Sequence, residues 1–281
     1  MMKFLIGSLS LILLTAVANA QYYYKDIVAT RQNMAKWQAY KAARVQLVRV
    51  KSFEADGQPT EGFQIEENMN PFFSGLNTHS KAIGATETWT FATYTDKGLL
   101  TGLTDTSDTY KSVSEYQYDD RGRLLSITNT STETDNQVKS VETHLWQYGA
   151  TDDRPTGMLK IMNGTDTTYV RFVTDDKGNI VEEDATRNRE ALPAIFYYYD
   201  DGSRLTDIVR YNAKARRLLP DNIFEYGTDG KMSSLLAVQE GAASYQKWIY
   251  EYNDKGLRTR ESCYNKQHEL LGHIEYQYSY K

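Results

Sequence analysis

Through much of the chain, hydrophobic and polar residues alternate with a period of two. That is the repeat of an extended strand, whose successive side chains point to opposite faces. In Tyr116-Gln117-Tyr118 the two rings share one face, and Glu115 and Gln117 share the other. Phe224 and Tyr226 stand in the same way against Glu225, and Tyr250 and Tyr252 against Glu251. Each such stretch runs into a short acidic turn, then a glycine, then a second alternating stretch. This predicts antiparallel hairpins with one aromatic and one polar face.

The unit repeats. Its fullest copy is Tyr116-Gln117-Tyr118-Asp119-Asp120-Arg121-Gly122-Arg123-Leu124, continuing to Thr128. Further copies start at Tyr94, Trp146, Phe172, Tyr197, Phe224, Tyr250 and Tyr276. The copy at Tyr197 has its glycine, Gly202, one place early, and the turn of the copy at Trp146 is enlarged over Asp152 to Gly157. A spacing of roughly 24 to 30 residues suits two strands, a tight turn and a return loop. The glycine meets the turn's need for a residue at positive φ.

Tyr116 to Thr128 resembles the YD (Rhs-type) repeat, whose pattern Tyr-x-Tyr-Asp-x-x-Gly-Arg-Leu-x-x-x-Thr it follows position by position. The likeness extends in weaker form over Trp89 to Lys281. It implies an exported, β-rich protein, and carbohydrate binding is an activity proposed for some of that family. The long members form shells around toxins. This chain has few copies and no toxin-like region after the last one, so the resemblance does not extend to a cage.

The period changes in the first quarter of the chain. Tyr23, Ile27, Thr30, Met34 and Trp37 fall on one side of a helix at 100° per residue, which predicts a helix over Tyr22 to Ala43. Val45 to Phe53 alternates as a strand, Asp56-Gly57 marks a turn, and Phe63 to Glu66 reads as a short return strand. Asn68 to Gly84 is polar, is broken by Asn70-Pro71, and reads as a linker. Before all of these, Lys3 precedes an apolar run from Phe4 to Val17 that ends in Ala18-Asn19-Ala20, the pattern of a cleaved secretory leader. The run is shorter than the roughly 20 residues of a spanning helix. The expected parts are therefore a signal peptide (1–20), a helix, hairpin and linker (21–85), and a repeat domain (86–281). The protein is expected in the periplasm or outside the cell, with no membrane-spanning segment after cleavage.

Composition narrows the function. Lysine and arginine number 32 against 37 aspartates and glutamates, a net charge of −5. Phosphate backbones need clustered cations, so this balance speaks against nucleic acid as a partner. With Cys263 as the single cysteine, no internal disulfide can form, and stability must come from core burial. Tyrosine occurs 22 times and proline 5 times, which favours strands and leaves backbone donors free for ladders.

The sequence singles out no catalytic residue, metal ligand or cofactor site. His268 and His273 are five apart, one too many for the His-Glu-x-x-His zinc motif. Asp175 to Asn179 does not follow the calcium-loop spacing. No phosphate loop or Gly-x-Ser-x-Gly elbow occurs, and no two carboxylates stand out as a glycosidase pair. The reading is a non-catalytic exported repeat protein with a structural or interaction role at the cell envelope, its partner a glycan or an envelope protein. An alternative is a glycan- or ligand-binding module that stacks sugars on Tyr116, Tyr118, Tyr197, Tyr199, Tyr250, Tyr252, Tyr276 and Tyr278. In the plainer reading those rings are core.

About 16 strands at roughly 4.8 Å spacing would make a flat sheet near 75 Å wide, and a 20-residue helix is only about 30 Å long. The expected fold is therefore a mostly β, antiparallel meander of hairpins. It curls into a strongly bent sheet or open barrel with the N-terminal helix packed against it, and a β-propeller-like arrangement is the alternative.

Overall fold

The computed structural model describes residues 21–150, 153–238 and 244–281. The expected leader lies outside them, as does part of the enlarged turn after Tyr148. A π-helical segment, Tyr23–Val28, runs without a break into helix α1, Ala29–Ala43, and Arg44 closes the helix in the left-handed conformation. Nineteen strands follow among the described residues: β1 (Val45–Glu54), β2 (Gln64–Met69), β3 (Gly75–Lys81), β4 (Thr88–Tyr94), β5 (Leu100–Thr106), β6 (Tyr110–Tyr118), β7 (Leu124–Glu133), β8 (Lys139–Tyr148), β9 (Pro155–Met162), β10 (Asp166–Thr174), β11 (Ile180–Arg187), β12 (Glu190–Ala191), β13 (Ile195–Tyr199), β14 (Leu205–Asn212), β15 (Arg217–Tyr226), β16 (Met232–Val238), β17 (Tyr245–Tyr252), β18 (Arg258–Tyr264) and β19 (Leu270–Tyr280).

The meander is antiparallel throughout, and it closes. β1 pairs on one side with β2 and on the other with β19, from Val45 opposite Tyr280 to Glu54 opposite Gly272. With β12 only a two-residue ear on β11, the wall is an 18-stranded barrel. This corrects the expected curled or open sheet, and the propeller alternative with it. The expected linker Asn68 to Gly84 is not a loop but carries β3, which pairs with both β2 and β4. Asn77, Thr78, His79 and Ser80 form a strand whose inner face is also polar, so polarity there does not mark a loop.

The hairpins share one construction. In β6–β7, Gln117 opposes Ser126 while Tyr118 opposes Leu124, which leaves Leu125 as an extra residue. The same one-residue bulge sits beside the turn in β4–β5, β8–β9, β10–β11, β13–β14, β15–β16 and β17–β18. A bulge bends its strand and increases twist. Repeating it around one rim supplies the curvature that closure needs.

The turns are equally uniform. In Asp119–Arg123 the first N–H donates to the fifth carbonyl and the fourth N–H to the first carbonyl, and this pair of bonds recurs at 95–99, 175–179, 200–204, 227–231, 253–257 and 265–269. The fourth residue has positive φ each time: Gly98, Gly122, Gly178, Gly230 and Gly256, with Ser203 (φ 59°) and His268 (φ 62°) in the two exceptions. The early Gly202 therefore does not shift its turn. Ser203 takes up the left-handed conformation instead.

The aromatic faces point inward, because the N-terminal helix packs on them. Tyr23 meets Tyr197 edge-on at 5.5 Å, Tyr24 lies 5.6 Å from Phe224, and Tyr40 meets Tyr278 edge-on at 6.2 Å. The start of the helix contacts the β8–β15 arc and its end contacts β19 and β1–β4. These arcs face each other in the ring, so the helix crosses the lumen. It does not fill it. Eighteen strands tilted by about 40° make a barrel roughly 35 Å across, whereas a helix with its side chains is about 10–12 Å wide. Accordingly, Arg31, Gln32, Ala35 and Gln38 on the helix stay exposed, while Tyr23, Ile27, Thr30 and Trp37 are buried.

Candidate functional site: the polar half of the lumen

Along the inward face of the strands, side-chain character changes from one rim to the other. Strand β6 reads Tyr118, Tyr116, Ser114, Ser112 going away from its turn. Its neighbour β7 reads Leu124, Ile127, Asn129, Ser131, and β8 reads Tyr148, Trp146, His144, Glu142, Ser140. On the other side, β4 passes from Tyr94 and Ala92 to Thr90 and Thr88, and β5 from Leu100 and Leu103 to Asp105. The turn half is thus an aromatic core and the far half a wall of hydroxyls, amides and acids.

These polar groups are buried or half-buried and bonded across the strands. Asn129 donates to the hydroxyls of Ser112 (2.7 Å) and Ser114 (2.8 Å), and Ser131 donates to Asn129 (3.0 Å). Thr90 donates to Asp105 (2.5 Å), and the Ser80 and Thr88 hydroxyls are 2.5 Å apart. Burial raises the Asp105 carboxyl above the ordinary value.

Where the helix begins, a chain of charges borders this wall. His144 lies between Asp26 (Nδ1 to carboxylate, 2.6 Å) and Glu142 (Nε2 to carboxylate, 2.9 Å), and Glu142 also holds Lys160 at 2.6 Å. Trp146 donates its indole N–H to Asp26 at 3.2 Å. Burial works against a charged His144, but the two carboxylates outweigh it and lift the imidazole to about 9. Burial likewise opposes ionisation of Glu142, yet His144 and Lys160 hold it down to about 2. Beyond this chain, Glu183 is fully buried and accepts the backbone N–H groups of Gln21 (2.8 Å), Tyr22 (3.1 Å) and Tyr23 (3.0 Å), together with the Tyr197 hydroxyl (2.8 Å).

The eight tyrosines singled out from sequence all face the lumen in the aromatic half, and most of their hydroxyls bond within the fold. Tyr118 donates to the Leu100 carbonyl, Tyr199 to Ile180, Tyr252 to Met232 and Tyr278 to Arg258, at 2.6–2.9 Å. Tyr148 and Tyr226 do the same to Leu124 and Leu205. The acceptor is always the first residue of the return strand one hairpin earlier. Tyr197 and Tyr276 donate to buried Glu183 and Glu261. Tyr116 and Tyr250 pack against the core clusters, and the guanidinium of Arg258 lies 4.1 Å over the Tyr250 ring.

No family model matches the sequence, and no curated protein does. Solved structures of related shape exist. A porin-like protein from Bacteroides uniformis is 9% identical, over 84% of this chain and 97% of that one, with a TM-score of 0.43. The TcdB2-TccC3-Cdc42 structure is 11% identical, over 77% of this chain and 16% of that one, with a TM-score of 0.31. The Tc holotoxin pore of Photorhabdus luminescens has the same identity and coverage at 0.30. With every score below 0.5, none of these likenesses assigns a function.

The polar wall and the His144 chain were not found by sequence reasoning. The signal was present in part: serine, threonine and asparagine recur two apart in Ser112-x-Ser114, Thr88-x-Thr90 and Asn129-x-Ser131. Which face they occupy follows only from closure. His268 lies in a turn, and His273 stacks on Phe53 at 4.7 Å. Among the described residues, no group of three or more histidines, cysteines or acids has metal-holding geometry. Cys263 is buried beside Trp248, and burial pushes its thiol up to about 12.

Proposed function

We propose that this chain is an exported, non-catalytic β-barrel with an interaction role at the cell envelope, and that the polar half of its lumen is the binding surface. The observation that supports this best is the change of the inner wall from aromatic to hydroxyl and amide side chains. A barrel interior built only for stability would bury apolar groups at those positions. Half-buried Ser, Thr, Asn and Asp groups instead match a ligand rich in hydroxyls, such as a glycan. The YD-like hairpins agree with this reading.

The charge states give Glu142 no general-acid role. A glycosidase general acid must hold a proton at working pH. Glu142, beside the hydroxyl wall, is held down to about 2. Its imidazolium partner is locked between two carboxylates, an arrangement that braces the helix against the wall.

The test is a soluble oligosaccharide array followed by calorimetry on any hit. Binding is expected, and it should weaken about tenfold or more when Asn129→Leu removes a bonded amide from the wall. Indifference to every glycan, or binding unchanged in that variant, defeats the lumen assignment. A second reading rests on the outer wall, where Tyr169, 62% exposed, borders a depression of about 430 Å³ with Arg171, Asp184 and Leu192. An exposed ring beside an ion pair is a stacking site for a sugar, and loss of binding in Tyr169→Ala alone would select it.

A further inference from the structure

We propose that the functional chain begins at Gln21 and that its α-ammonium is seated inside the barrel as the counter-ion of Glu183. The inference rests on the export reading above. The sequence places a leader-cleavage pattern at Ala18-Asn19-Ala20, immediately before Gln21. The fold places the nitrogen of that same residue 2.8 Å from a carboxylate with no exposure to solvent.

Hydrolysis of the Ala20–Gln21 peptide by a leader peptidase consumes one water. Ala20 leaves with the new carboxylate, and Gln21 keeps the nitrogen, protonated, as an ammonium. A neutral peptide donor to Glu183 thereby becomes a charged one, and charge-assisted hydrogen bonds are roughly twice as strong. A fully buried carboxylate is costly without such a partner. Lys25 also acts on Glu183, and the ammonium at Gln21 adds a second cation in direct hydrogen-bond contact with that carboxylate.

The Gln21 side chain fits the same reading. Its amide nitrogen is held by Asp221 at 2.8 Å, and Asp221 is itself clamped by Arg210. An N-terminal glutamine can cyclise when its own amine attacks the side-chain carbonyl, releasing ammonia. Here amine and amide are held by different carboxylates on β11 and β15. Cleavage thus produces a terminus that ties the helix start to the barrel wall.

The exported protein, made with its leader, is purified and its intact mass measured. Its α-amine is then labelled with an amine-reactive ester near neutral pH, folded and denatured, and the site is located by peptide mass. The expected result is an uncyclised Gln21 terminus labelled at least about tenfold more slowly in the folded state. Glu183→Gln should remove that protection and Lys25→Gln should leave it. Should Glu183→Gln fail to fold, a variant with one glycine inserted before Gln21 decides, because it displaces the charge while keeping Glu183, and its Tm should fall. A chain that keeps its leader overturns this proposal and the export reading together, and cleavage at any other bond overturns this proposal alone. A Gln21 terminus that is cyclised, or equally reactive folded and denatured, overturns this proposal alone.

Discussion

At the scale of single residues, two positions carry measurable consequences. Ser203 occupies the left-handed conformation that glycine fills in five of the sister turns. Only a few side chains tolerate it without strain. Ser203→Gly should therefore raise stability by about 1 kcal/mol, read as a higher urea midpoint at unchanged slope. His144 gives a pH signature. Its folded pKa of about 9 lies above the ordinary 6.5, so its stabilisation is complete below that ordinary value and disappears as pH rises through about 9. Glu142 has the opposite sense: its contribution is complete above its ordinary 4.5 and disappears as pH falls through about 2. A Tm profile should thus decline on both sides of the mildly acidic range. His144→Gln should flatten the alkaline limb and cost about 3 kcal/mol, because Asp26 and Glu142 lose the cation between them.

At the scale of the element, the hairpins are joined by a repeated device. Beside six of the seven bulged turns, the carbonyl of the first return-strand residue accepts the hydroxyl of the second tyrosine of the next hairpin. The repeat therefore encodes its own neighbour contact. Tyr226→Phe should cost about 1 kcal/mol, and Tyr118→Phe about the same. Combined, the two costs should add, since the sites lie on β15 and β6 and share no partner. The turn glycines divide differently. A Cβ at Gly98 would sit 2.4 Å from the Trp37 ring, whereas one at Gly230 meets nothing within 4 Å. Gly230→Ala should cost only backbone strain, about 1 kcal/mol. Gly98→Ala should cost roughly twice that or more, because the end of the helix must move. Chemical denaturation of the pair separates strain from packing.

At the scale of the whole molecule, the outer wall decides how the barrel meets its surroundings. A barrel in lipid carries an outward apolar band about 25 Å tall. Here the outward positions mix exposed apolar residues such as Trp89, Phe91, Leu145 and Ile249 with exposed Arg49, Lys51, Gln64, Lys111, Glu115, Gln117, Arg171, Glu225, Glu251 and Gln277, spread around the ring and along the strands. Charge at the middle of a membrane costs about 2–4 kcal/mol per Arg or Lys. The folded protein should stay in the aqueous phase when mixed with neutral lipid vesicles and spun through a density gradient. Co-flotation would overturn this expectation. No helix among the described residues is long and apolar enough to cross a membrane, which by itself says nothing about strands.

The sequence by itself determined what is local. Tyr116-Gln117-Tyr118 and its copies specify strands with a ring-bearing face. Asp119 to Gly122 specifies the turn, and the stripe Tyr23, Ile27, Thr30 and Trp37 specifies the buried side of the helix. Each depends on neighbours a few residues away, where the periods of strand and helix are visible. Closure depends on Val45 meeting Tyr280, more than 200 positions along the chain, and no local period reports such a pairing. Only the tertiary structure decided that the rings face a lumen, that the helix crosses it rather than covering a flat sheet, and that Ser112, Asn129 and Asp105 face one cavity. A closed sheet gives every strand an inside, and that inside turns scattered hydroxyls and one histidine between two acids into a site.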